Sequence, residues 1–158
     1  MIKAILACDE EWGIGKDGDL PWPHNSADLK WFKKMTLGEA VVMGRNTWNS
    51  LPVKPLPGRY NVVVSSTEVE GATYTFGKRF KERIVDLSCE HPVCIIGGAQ
   101  LVESCLDIID ELWLSRIDGV YDCDTVLPKD TILEKFALDL VLHKPFKDDI
   151  CVEKWVKK

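Results

Sequence analysis

Gly13-Ile-Gly-Lys-Asp-Gly-Asp-Leu-Pro-Trp-Pro23, followed two residues later by Ser26-Ala-Asp-Leu-Lys-Trp-Phe-Lys-Lys-Met-Thr36, decides whether the chain opens as a dinucleotide-binding βαβ unit. Gly13, Gly15 and Gly18 have the spacing G-x-G-x-x-G, and an apolar, strand-like run, Met1 to Cys8, precedes them. That fingerprint works only where its glycines open a helix whose N-terminus meets a pyrophosphate. Here Pro21 and Pro23 follow almost at once and remove the donors and dihedral freedom such a helix needs. The stretch reads as a loop, with glycines suited to a mobile flap over a pocket.

The helix that follows carries a carboxylate in an unusual place. At roughly 100° per residue, Trp31, Phe32 and Met35 fall within about 60° of Asp28 on the helix wheel. Lys30 and Lys34 point the other way. An acid in a first helical turn is ordinarily favoured by the helix dipole and left in water. The angular position argues instead for a carboxylate lining an apolar pocket, the setting in which functional acids with shifted pKa values occur.

A length of 158 residues suits one domain, residues 1–158, with a single sizeable core. The composition, 46% hydrophobic and 28% charged, is that of an ordinary globular protein. A net charge of −5 without a dense Lys/Arg face argues against a nucleic-acid partner and leaves an anionic small molecule open. Cys8, Cys89, Cys94, Cys105, Cys123 and Cys151 form no C-x-x-C pair and have no zinc-ligand spacing with the histidines. They read as reduced thiols of a cytoplasmic protein, with no metal. The run Ala4 to Cys8 is too short for a secretion signal, and no run approaches the length of a membrane span.

Strands are expected at Met1–Cys8, Ala40–Met43, Tyr60–Ser65, Pro92–Ile96, Glu111–Ile117, Leu138–Leu142 and Ile150–Val156. Helices are expected at Ala27–Met35, Asn46–Leu51, Lys78–Asp86 and Gln100–Leu106. Strands alternating with helices give parallel βαβ units, and the strand-rich last third gives an antiparallel finish. The fold class is therefore α/β, a mixed and mainly parallel sheet. Two strand ends carry glycine turns that could hold phosphate: Gly44-Arg45-Asn46-Thr47 and Gly97-Gly98-Ala99-Gln100. Ser65-Ser66 adds hydroxyls at a third strand end on the same sheet edge, and Arg59 supplies a cation from a Pro/Gly turn.

Ile14-Gly15, Leu20-Pro21-Trp22, Ala27-Asp28-Leu29 with Phe32, Met43-Gly44-Arg45 with Thr47-Trp48, and Pro55-Leu-Pro-Gly-Arg59 occur in that order. Ser65-Ser66, Ile96-Gly97-Gly98 and Asp124-Thr125 before Pro128 continue it. Together they resemble the dihydrofolate reductase family over nearly the whole chain. The resemblance implies an eight-stranded sheet with about four helices. It also implies NADPH-dependent reduction of 7,8-dihydrofolate to tetrahydrofolate, which feeds one-carbon metabolism and thymidylate synthesis. Hydride reaches pterin C6, and a proton reaches N5 by way of water.

By the same resemblance, Asp28 binds pterin N3 and the 2-amino group, Ser115 stands where the family usually has Thr, and Leu20 and Trp22 belong to the catalytic flap. Ile5, Leu29, Phe32, Leu51, Leu56 and Ile96 wall the substrate, and Arg59 grips its glutamate α-carboxylate. Arg45 and Ser66 meet the 2′-phosphate of NADPH. Ala7, Ile14, Gly15, Gly44, Asn46, Thr47, Ser65, Gly97, Gly98, Ala99, Gln100 and Leu101 line the rest of the cofactor path, with Gly97–Gly98 cis. Departures are Val102, where many members have Tyr, Gln100, where many have Arg, and one extra residue between Trp22 and Asp28. Such compact members are usually monomers. The rival readings are a pyrimidine reductase of riboflavin synthesis with the same fold, and a non-catalytic nucleotide-binding module. The first has no reason to keep Asp28, Phe32 and Arg59.

Overall fold

The computed structural model describes residues 1–15, 26–143 and 151–158, with backbone alone at 26–28 and 143. Leu20, Trp22 and the Asp28 side chain therefore lie outside the described residues. In chain order the elements are β1 (Ile2–Cys8), β2 (Gly13–Gly15), α1 (Ser26–Thr36), β3 (Ala40–Gly44), α2 (Arg45–Ser50), β4 (Tyr60–Val64) and β5 (Tyr74–Phe76). They continue with α3 (Phe80–Ser88), β6 (Val93–Gly97), α4 (Ala99–Cys105), β7 (Glu111–Arg116), β8 (Thr125–Val126), α5 (Lys129–Lys135), β9 (Phe136–His143) and β10 (Cys151–Lys157).

Eight strands form one sheet in the order β5-β4-β3-β6-β1-β7-β10-β9. Neighbours from β5 through β7 pair parallel, and β10 runs antiparallel to both β7 and β9. The β-branched runs of β3, β4 and β6 are nearly continuous in burial because both sheet faces are covered. Side chains alternate between those faces. Ala40, Val42, Val62, Val93, Ile95, Leu112 and Leu114 join the larger core with residues of α3, α4 and α5. On the opposite face, Ile5 and Cys94 pack beneath Trp31 of α1, and Val41, Met43 and Val63 pack beneath Trp48 of α2. In α1 Trp31 is buried and Phe32 and Met35 are half-buried, while Lys30, Lys33 and Lys34 are exposed, so its apolar face is the one drawn from the helix wheel.

Four expectations need correction. Among the described residues there are five helices where about four were expected: α5 begins after Pro128, with Asp130 in its first turn and Lys135 in its last, the order of charges that suits a helix dipole. Gly13–Gly15 is not loop but a short strand, β2, paired antiparallel with β8 in a separate two-stranded sheet. The edge strand β5 was not among those read from the sequence, because three residues are too few to show a period. The third helix begins two residues late, at Phe80, because Phe80 N–H bonds Gly77 O at 3.1 Å in a turn that holds Lys78 and Arg79 outside the helix. No described helix is long and apolar enough to cross a membrane. The six cysteines are free, and burial pushes the Cys8 thiol up to about 12 and Cys105 up to about 11, so both are protonated small hydrophobes at neutral pH.

Candidate active site

The parallel strands bring their C-terminal ends to one sheet edge, the edge at which open α/β sheets bind ligands. A cleft of about 750 Å³ opens there. It has two chemically different ends and a lip.

The polar end is built from two strand-to-helix turns. Gly44, Arg45, Asn46 and Thr47 carry β3 into α2, and Gly97, Gly98, Ala99, Gln100 and Leu101 carry β6 into α4. Gly97 has φ 132°, a region closed to ordinary side chains, and the Gly97–Gly98 peptide is cis. A Cβ on Gly97 would stand 3.5 Å from Thr47 Oγ1, and one on Gly44 would stand 3.9 Å from Gly98 N. The two turns thus meet nearly backbone to backbone, and the missing side chains leave a floor that a ligand can approach. Neither Gly44 nor Gly98 caps its helix with a side chain, so the first-turn N–H groups keep their donor capacity on the cleft side. Arg45 is exposed, with Nε donating to Asn49 Oδ1 at 3.4 Å.

The apolar end consists of Ile5, Leu29, Trp31, Phe32 and Ile96, with the buried Ser115 from β7. Ala7 lies on the cleft in β1, paired in register with Ser115. The lip comes from the small sheet: Ile14 and Gly15 of β2 and Thr125 of β8.

Five site residues chosen from the sequence, and Val102 besides, lie off the cleft wall. Leu51 and Leu56 pack with Ile96 against the Val41, Met43 and Trp48 cluster. Arg59 donates from Nη1 to Thr36 Oγ1 at 3.0 Å and from Nε to Pro57 O at 3.0 Å. Its guanidinium stands 5.9 Å from the ring centre of Phe32, so it adjoins the apolar end. Burial lowers its pKa from the usual guanidinium value. Ser65 and Ser66 follow Val64, the cleft-lining end of β4, and Ser65 Oγ accepts Thr67 N–H at 3.2 Å. Val102 is fully buried in the larger core, and its neighbour Leu101 faces the cleft.

Leu6, Trp31, Ser50, Val64, Phe80, Ser104 and Thr125 line the cleft although the sequence reading had not chosen them as site residues. Trp31 was already on the wheel beside Asp28, and Leu6 and Val64 are strand-end neighbours of chosen residues. Ser104 follows Gln100 by one helical turn, its Oγ donating to Gln100 O at 2.9 Å. Phe80 carried no signal beyond its place at a helix start.

Next to the lip lies a buried carboxylate, Asp9, 1% exposed. Burial alone would raise its pKa, but hydrogen bonds from Gly13, Tyr121 and Glu11 N–H and from the Cys123 thiol outweigh it and hold the carboxyl below the usual range. A native pKa below the unfolded value gives stability that is fully present above the unfolded pKa of about 3.9 and is lost as pH falls through the native one. The stability difference between wild type and Asp9→Asn is therefore expected to shrink steadily as pH drops below about 4. Denaturant midpoints for both proteins across that range check it, and a pH-independent difference would contradict it.

The family model described as dihydrofolate reductase matches residues 1–147 of this chain. The dihydrofolate reductase of Bacillus subtilis is 38% identical over 133 residues, covering 82% of this chain and 76% of that protein. Bifunctional dihydrofolate reductase-thymidylate synthase 1 of Arabidopsis thaliana is 33% identical and is matched over 95% of this chain, which spans only 31% of that longer protein. Among solved structures, dihydrofolate reductase from Enterococcus faecalis complexed with NADP(H) and RAB-propyl superposes with a TM-score of 0.86 at 27% identity, covering 100% of this chain and 96% of that one. By its sequence as by its sheet order and cleft, the chain belongs to the dihydrofolate reductase family.

Proposed function

We propose that this protein reduces 7,8-dihydrofolate to 5,6,7,8-tetrahydrofolate with NADPH, acting as a cytoplasmic monomer on small molecules alone. The observation that carries the reading is the division of one cleft into a glycine-floored polar end and an apolar end walled by Phe32, Trp31 and Ile5. A dinucleotide phosphate suits the first, and a flat pterin with an aromatic tail suits the second. The residues fit NADPH on the structure's own terms: Gly44, Gly97 and Gly98 present backbone without side chains, and a Cβ on Gly97 or Gly98 would stand 3.5 or 3.8 Å from the Thr47 hydroxyl. When bound, NADPH supplies the hydride that is added to the pterin.

The chain's residues do the rest. The turns at Gly44–Thr47 and Gly97–Gln100 offer backbone N–H donors to phosphate, and Arg45 with Ser66 reads the extra 2′-phosphate. Ile14 and Gly15, on the lip of the cleft, cover the reacting rings and limit the water that reaches them, a role in which the family resemblance also counts Leu20 and Trp22. Asp28 orients the pterin and supplies negative charge against it, the buried Ser115 lines the apolar end of the cleft, and a water carries the proton to N5. Loss of NADPH absorbance on adding 7,8-dihydrofolate tests the reaction. Turnover is expected; bound NADPH without turnover would favour the non-catalytic module, and turnover of a ribosylated aminopyrimidine instead would favour the rival reductase.

Cofactor choice gives a second test. Arg45→Ala removes a charge-assisted hydrogen bond to the 2′-phosphate, which is expected to cut kcat/KM with NADPH about 10- to 100-fold and leave NADH nearly unchanged. An unaltered NADPH-to-NADH ratio would show that Arg45 does not read that phosphate.

A further inference from the structure

The Asp9 carboxylate ties together two chain segments that form the lip of the cleft. Oδ1 accepts Gly13 N–H at 2.8 Å and Glu11 N–H at 2.9 Å, and Oδ2 accepts Tyr121 N–H at 3.1 Å and the Cys123 thiol at 3.6 Å. Gly13 begins β2, and residues 121–123 lead into β8. Just beyond the carboxylate the two strands pair, Gly13 with Val126 and Gly15 with Thr125. Ile14, Gly15 and Thr125 then face the cleft, whereas Asp9 itself does not line it.

The approach is as close as glycine permits: a Cβ on Gly13 would lie 2.5 Å from Cys123 Sγ. The turn is also held from its other side. Arg116 stands 4.1 Å from the Trp12 ring centre and donates to Asp9 O at 3.3 Å and Glu153 Oε1 at 2.8 Å. Trp12 has φ 65°, a left-handed conformation that a large side chain keeps only where its surroundings impose it. A buried carboxylate that needed only neutralising could take one Lys or Arg. Among the described residues, every hydrogen bond to this one comes from a backbone N–H or a thiol of the two segments, so what it fixes is the placement of one backbone against the other.

We infer that Asp9 is a positioning residue for cofactor binding, setting the spacing of β2 and β8 and thereby the placement of Ile14, Gly15 and Thr125 against NADPH. This rests on the proposed NADPH-dependent reduction for its consequence, though not for its geometry. Asp9→Asn keeps the shape but must turn an NH2 group toward either the Gly13 and Glu11 N–H pair or the Tyr121 N–H and Cys123 S–H pair. Ile109→Val, a cavity at the buried N-terminal edge of the sheet, serves as a control for general loss of stability.

Amide exchange in the protein without cofactor is expected to rise about tenfold or more at residues 11–15 and 121–126 in Asp9→Asn, with β3 and β6 unchanged. The Kd for NADPH is expected to rise about tenfold, and KM for dihydrofolate to change less. Cys123→Val, which removes one donor, should shift both readouts the same way by a smaller amount, and Cys123→Ser should restore them; this pair decides the matter if Asp9→Asn does not fold. Exchange that rises uniformly, as in Ile109→Val, would overturn the inference, as would local opening with NADPH affinity intact. If the wild type bound no NADPH, the proposed reaction would fall, and the assignment of a cofactor role to Asp9 would fall with it, while the exchange pattern alone would still decide the clip.

Discussion

Asp28→Asn is expected to lower kcat/KM for dihydrofolate by about two to three orders of magnitude at neutral pH, with part of the activity returning in acid. Asp28 lies three residues before Trp31 and four before Phe32 in α1, the spacings that share a helical face, and both of those residues line the cleft. Beside apolar walls a fixed negative charge acts through a low dielectric, where it stabilises a developing positive charge far better than in water. The amide keeps the shape and one acceptor but loses the charge. In acid the substrate arrives already protonated, so less of the barrier depends on that charge, and the mutant should approach wild type. Folding should change little, because losing an acid from a first helical turn costs only about 0.3–1 kcal/mol. Steady-state rates across pH for both proteins, with melting temperatures alongside, check this; a mutant as active as wild type at neutral pH would sink the account of Asp28.

The strands and helices that the sequence announces are those that carry a continuous apolar run or one apolar face over several residues. β3, β4 and β6 are runs of Val, Ile and Met buried on both faces, and α1 shows Trp31, Phe32 and Met35 against Lys30, Lys33 and Lys34. What stayed illegible is short or held from outside. β2 and β8 are three and two residues long, and their pairing depends on Asp9 and on Leu127 N–H reaching Trp12 O at 2.9 Å, contacts made across more than a hundred residues. No local pattern encodes such contacts, and so the glycines that look like a loop become a strand. α5 was legible in principle, through Pro128 and the order of its charges, but Ile132 is the one buried residue of its seven and gives no periodic signal.

The site follows the same division. Glycine turns at strand ends, Gly44 and Gly97-Gly98, are local features that predict where backbone can approach a ligand. Phe80 and Ser104 reach the same cleft from α3 and α4 only because the sheet order places β4, β3 and β6 side by side. Leu51 and Leu56 show the converse. They pack, as Ile96 does, against the buried Val41, Met43 and Trp48 cluster, a relation that no reading of sequence spacing reveals.

Arg59→Ala is expected to raise KM for dihydrofolate about 10- to 100-fold with a much smaller change in kcat, because on the proposed function it binds the substrate's glutamate carboxylate, remote from the reacting ring, in ground and transition state alike. The side chain and its loop are fixed by their surroundings. The buried Asn61 ties its loop by accepting Leu56 N–H at 2.9 Å and donating to Leu56 O at 3.0 Å and Arg59 O at 3.1 Å. Gly58, at φ 74°, turns the chain and accepts Gly38 N–H at 2.9 Å. The guanidinium is braced on Thr36, whose own hydroxyl donates to Phe32 O at 2.7 Å, so one chain of hydrogen bonds links the cation, the helix end and the cleft wall. A planar fork fixed in this way can meet a carboxylate with two parallel bonds, which an ammonium cannot do, so Arg59→Lys should recover only part of the loss. The decisive comparison uses a dihydropterin that lacks the glutamate. With it, wild type and Arg59→Ala should have the same KM, because the group that Arg59 holds is absent. A KM that rises equally for both substrates would mean that Arg59 supports the Phe32 wall instead of gripping the carboxylate. Asn61→Ala separates the two cases again: loosening the loop should raise KM for the full substrate alone and leave the truncated one unaffected, because only the cation has lost its fixed position.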